Sequence, residues 1–102
     1  MDYTLLEDTM IQYLLETLRR QKGMSYDDIA GQVYGTENMQ RSRLRLYHLR
    51  KPMVGGSRKK LSLEDYVRIC YALQESPAEL LGYLLGKVTR EEQKVSEEIF
   101  KN

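Results

Sequence analysis

The chain has 102 residues, of which 41% are hydrophobic and 30% charged, and its formal net charge is +1. Those values fit one domain with its own core and argue against general disorder. The single cysteine, Cys70, excludes an internal disulfide framework, and no run approaches the roughly 18 apolar residues of a membrane span.

No basic segment followed by a long apolar run opens the chain, so no signal peptide is expected. Cys70 lies in an apolar run, VRICYAL, where a small buried hydrophobe is the expected role. A chain without disulfides suits a reducing cytoplasm.

The first helix is expected over 4–22. Leu6, Met10, Leu14 and Leu18 recur every four residues, widened by Leu5, Ile11 and Leu15. Thr4 and Glu7 have capping-box spacing at its start, and Gly23 is a natural stop. A short second helix is expected over 26–34, with Ser25 as N-cap, Asp28 three residues on, and Ile29, Ala30 and Val33 facing inward. Gly35 would end it, because a sharp turn often needs positive φ.

A third helix is expected over 38–50, held inward by Leu44 and Tyr47, with Leu46 and Leu49 as further inward candidates. Pro52 would end it, since the residue before proline is pushed from the α region. Residues 52–60, PMVGGSRKK, read as a loop. A fourth helix follows over 63–74, capped by Ser62, and a fifth over 77–85, capped by Ser76 with Pro77 in its first turn and ended by Gly86. A sixth is expected over 90–101, where Thr89 and Glu92 again have capping-box spacing. Its apolar face is thin, with Val95, Ile99 and Phe100, so it needs a surface to pack on. Either its own domain or a second copy of the chain would serve. No alternating strand pattern appears, and the fold class is all-α.

Charge is unevenly spread along these elements. Residues 36–60 hold Arg41, Arg43, Arg45, Arg50, Lys51, Arg58, Lys59 and Lys60 against one acid, Glu37. Both flanking segments are mildly acidic. Acids are not interleaved at i,i+4 as in a salt-bridged surface helix, and arginine's planar fork suits phosphates and guanine edges. The segment is therefore expected to bind nucleic acid. A short helix, a turn at Gly35 and a basic helix form a helix-turn-helix, in which the second helix enters the major groove and the first crosses the backbone.

Three stretches then resemble one family. Gly23-Met-Ser-Tyr-Asp-Asp-Ile-Ala30 is similar to the start of helix two in the lambda-repressor/Cro-like (XRE family) regulators, Arg41 to Lys51 to their recognition helix, and Leu61 to Leu81 to their fourth and fifth helices. The resemblance covers about residues 14–85. It departs in having Tyr26 where the family commonly has glutamine, five residues rather than four from Ala30 to Gly35, and an extended turn, TENMQ.

The resemblance implies a five-helix lambda-repressor-like helix-turn-helix domain over 1–88; the C-terminal helix over 89–102 is additional to it, and Val95, Ile99 and Phe100 would make it either a dimerisation element or a cover for the monomer core. The resemblance implies a sequence-specific regulator of transcription, acting as a cytoplasmic, nucleoid-associated repressor of bacterial or phage origin. The expected partners are double-stranded DNA and a second copy of the chain.

Gln40, Arg41, Arg43 and Arg45 are the expected base readers. Tyr26, Thr36, Asn38, Ser42, Arg50, Lys51, Ser57, Arg58, Lys59 and Lys60 are expected on the DNA backbone, where contacts position the protein without reading sequence. The alternative is a protein-interaction module, an antirepressor, antitoxin or inhibitor that uses the same fold to grip a protein partner. No enzyme is expected, since no nucleophile–base pair, carboxylate pair or phosphate-cradling loop appears. No metal or other cofactor is implied, as a lone histidine and a lone cysteine make no ligand cluster.

Overall fold

The computed structural model describes residues 2–51 and 60–100, the stretch 94–100 by its backbone alone. Every regular element among them is helical. Helix α1 occupies residues 3–21, α-helical over Tyr3–Gln12, π-helical over Tyr13–Leu18 and α-helical again over Arg19–Gln21. It is followed by α2 (Tyr26–Tyr34), α3 (Met39–Arg50), α4 (Leu63–Ala72) and α5 (Pro77–Phe100). No helix among the described residues is long and apolar enough to cross a membrane.

Capping accounts for most of the boundaries. Ser25 Oγ accepts from Asp28 N at 3.1 Å while Asp28 Oδ2 accepts from Ser25 N at 2.9 Å, the reciprocal box that starts α2. Ser62 Oγ accepts from Asp65 N at 3.0 Å to start α4. Helix α1 begins earlier than expected. Asp2, not Thr4, is its N-cap, accepting from Leu5 N at 3.0 Å. A carboxylate there meets the positive end of the helix dipole as well as an orphan N–H. Helix α4 ends at Ala72 rather than 74. Gln74 takes φ +60°, and Glu75 N donates to Cys70 O at 2.9 Å, closing the helix in a Schellman-type turn.

The π-helical segment of α1 has no counterpart in the sequence periodicity. Arg19 N donates to Leu14 O, five residues back, and Leu14, Leu15 and Leu18 are all buried. The wider turn keeps three leucines on the core side. Arg19 fastens the end of the segment through Nε to Leu15 O at 2.7 Å and Nη1 to Met24 O at 2.8 Å.

The core joins Leu14 and Leu15 of α1 to Ile29 of α2, Leu46 and Leu49 of α3, Ile69 and Leu73 of α4, and Leu84 of α5. Cys70 is fully buried among them, and burial pushes its thiol up. Polar ties connect the layers: Tyr34 Oη donates to Asp65 Oδ1 at 3.2 Å between α2 and α4, and Asp2 N donates to Glu92 Oε1 at 2.8 Å between the start of α1 and α5.

Two sequence expectations are corrected here. The separate helices over 77–85 and 90–101 are one continuous helix that runs through Gly86. Leu80, Leu84 and Val88 form one buried stripe across that glycine. Burying Val88 contributes roughly 1.5–3 kcal/mol, against about 1 kcal/mol lost for glycine in a helix. Thr89 does not cap a new helix, since its hydroxyl donates to Leu85 O at 2.8 Å inside the existing one. The second correction concerns α3. Leu44 and Tyr47 do not face inward: they are 54% and 51% exposed. Ser42, Leu46 and Leu49 form the buried face instead.

Candidate nucleic-acid interface

The turn between α2 and α3 occupies residues 35–38. Gly35 closes α2 at φ +100°, a conformation open to glycine and costly to other residues. Gly31, one turn earlier, leaves room for Thr36 and Met39: a Cβ there would lie 3.2 Å from Thr36 Cγ2. Ser42 Oγ donates to Gly35 O at 2.7 Å, and Asn38 Oδ1 accepts from Arg41 N at 3.1 Å to cap α3. Ile29, Ala30 and Val33 of α2 and Leu46 and Leu49 of α3 are all buried in the pairing of the two helices.

At about 100° per residue, a helix with Ser42, Leu46 and Leu49 inward carries Gln40, Leu44 and Tyr47 on the opposite ridge. Arg43 lies on one flank of that ridge, and Arg41 and Arg45 on the other. The ridge itself is uncharged. The Tyr47 ring meets His48 edge-on at 5.9 Å between centroids. Beside the ridge, a hollow of about 400 Å³ lies between α2 and α3, lined by Tyr26, Asp27, Gln40, Arg43, Leu44 and Tyr47 among others.

The arginines differ in what holds them. Arg43 grips Asp27 of α2 with two bonds, Nε to Oδ1 at 2.9 Å and Nη2 to Oδ2 at 3.0 Å. That guanidinium holds the Asp27 carboxyl below the usual carboxylate range. Arg45 lies over the Tyr34 ring, 4.2 Å from its centroid. Burial, with the Asp65 carboxylate next, pushes the Tyr34 hydroxyl well up. Arg41, Arg45, Lys51 and Lys60 form no ion pair among the described residues.

Besides Asn38, whose side chain caps α3, three residues expected on the DNA backbone have internal partners. Ser42 is 3% exposed, with its hydroxyl committed to Gly35. Tyr26 donates its hydroxyl to Glu16 Oε1 and lies beneath two guanidinium groups, Arg50 at 3.5 Å and Arg19 at 4.0 Å. Arg50 also pairs with Glu16 at 3.7 Å, and its buried Nε has no hydrogen-bond partner among the described residues. The Tyr26 hydroxyl, with Arg50, Arg20 and Arg19 nearby, holds Glu16 below its ordinary range. These groups fasten the end of α3 to α1 and to the start of α2.

Comparison with known protein families, curated proteins and solved structures finds no match for this chain.

Of the other expected site residues, Gln40, Arg41, Thr36, Asn38, Lys51 and Lys60 are all exposed. Ser57, Arg58 and Lys59, with Pro52 and the Gly55-Gly56 pair, lie outside the described residues. So do the side chains of Val95, Ile99 and Phe100, whose backbone continues α5. No three His, Cys, Asp or Glu side chains converge as a metal site among the described residues. Sequence reasoning missed Leu44 and Tyr47 as surface residues and the acids Asp27 and Glu16 as arginine partners. The i,i+4,i+7 spacing of Ser42, Leu46 and Leu49 was the available signal for the first.

Proposed function

We propose that the chain is a sequence-specific double-stranded DNA-binding regulator, a repressor of lambda-repressor-like helix-turn-helix architecture, with α3 in the major groove and α2 across the backbone. The observation that carries this reading is the pairing of α2 with α3 across the Gly35 turn, with Arg41 and Arg45 left on α3's outer surface and Lys51 just past its end, all without acidic partners among the described residues. Cations on the exposed face of a helix suit the two phosphate walls of a groove. A homodimer would set two such helices about 34 Å apart, one turn of duplex.

The test is binding to random duplex between about 50 and 200 mM salt, where counterion release from several phosphate contacts lowers affinity steeply. A flat salt dependence overturns the reading. The second reading, a protein-interaction module, draws support from the exposed Leu44 and Tyr47, since apolar side chains on a surface ridge also suit a protein partner. It predicts weak, sequence-independent DNA binding and tight capture of one protein at physiological salt.

A further inference from the structure

Resting on the DNA-binding reading, we infer that α3 selects thymine in the major groove through Leu44 and Tyr47, and that Arg41 and Arg45 on its flank serve as phosphate rails rather than as base readers. The buried face of α3 is complete without these two side chains, since Ser42, Leu46 and Leu49 fill it. Leu44 and Tyr47 are half-exposed on the ridge farthest from the core. That ridge penetrates deepest when a helix lies in a groove.

The guanidinium groups are drawn off the ridge on either side. Asp27 holds Arg43 toward α2, and the Tyr34 ring holds Arg45 toward the opposite flank. A positive flank at Arg41 and Arg45 beside the Leu44–Tyr47 pair complements a groove with phosphate walls and a floor that is apolar in places. The thymine 5-methyl group is the apolar feature that the four bases display on that floor. Leu44 and Tyr47 are three residues apart, a rise of about 4.5 Å, close to the roughly 3.4 Å between successive bases on one strand. Neighbouring thymines therefore fit the pair.

The experiment starts with selection of bound duplexes from a random pool by the full chain. Each thymidine of the recovered site is then replaced by deoxyuridine, which removes the 5-methyl group and leaves the pairing intact. The expected result is one or two positions at which replacement weakens binding about fourfold per methyl, the effect of exposing one buried carbon. Leu44→Ala, at an exposed position, should keep the wild-type unfolding curve and lose the sensitivity at one of them. A recovered site insensitive to deoxyuridine throughout overturns the inference while leaving DNA binding in place. So does a Leu44→Ala chain as sensitive as the wild type. Recovery of no duplex overturns both.

Discussion

The Arg50 guanidinium lies 3.5 Å from the centroid of the Tyr26 ring, and so ties the last turn of α3 to the first turn of α2. The same tyrosine donates its hydroxyl to Glu16 of α1, so one side chain gathers three helices. Tyr26→Phe keeps the ring and loses the hydroxyl. Urea unfolding should show a loss of about 1 kcal/mol at neutral pH. Tyr26→Ala, which also removes the cation–π contacts and the packing, should cost about 2–3 kcal/mol. Equal losses in the two variants would mean that the ring contacts contribute nothing.

The Glu16 carboxyl is held below its ordinary value in the folded chain, chiefly by that hydroxyl. Its contribution is therefore complete above the unfolded pKa of about 4.3 and is lost as pH falls through the lower folded value. The stability gap between wild type and Tyr26→Phe should be widest near neutrality and should shrink below about pH 4. A gap that stays constant down to acid pH would show that the hydroxyl bonds Glu16 equally in both protonation states.

Ser42 carries the turn rather than the DNA contact expected from its place among the arginines. Ser42→Ala leaves the Gly35 carbonyl without its 2.7 Å donor. The expected cost is about 1–2 kcal/mol, or roughly 4–8 °C in Tm per kcal/mol for a domain of this size. Loss of duplex binding with an unchanged Tm would return Ser42 to the surface role.

Tyr34 connects α2 to α4 through Asp65, a carboxylate only 5% exposed. Tyr34→Phe removes a donor from that buried acid and should destabilise by about 1–3 kcal/mol. The ring under Arg45 is retained, so duplex affinity at a temperature well below Tm should change little.

Arg41 stands on the flank of α3 with no ion pair among the described residues. As a phosphate rail, Arg41→Ala should weaken all duplexes alike and reduce the magnitude of the salt slope by about one. Weakening confined to one base identity would make Arg41 a reader instead.

The all-helical class and most helix starts were legible in the sequence, because caps are local. Ser25 and Asp28, or Ser62 and Asp65, need only three residues of chain to satisfy a helix start. The helix ends were harder to read. Gly86 looks like a stop, yet a glycine inside a helix costs about 1 kcal/mol, less than burying Val88 beyond it contributes.

The basic segment shows the same division. Its charge, its glycine turn and its helical spacing are properties of the chain alone, and they set the expectation of a helix-turn-helix. Which way α3 is turned was undecided by them. Leu44 with Tyr47, and Leu46 with Leu49, both recur at helical spacing and cannot all face one core. The packing of α2 settles it by taking Leu46 and Leu49 inward and Ser42 against Gly35. Only then do Leu44 and Tyr47 emerge on the ridge. Only then do Asp27, Glu16 and the rings of Tyr26 and Tyr34, all outside α3, come within reach of its arginines Arg43, Arg45 and Arg50.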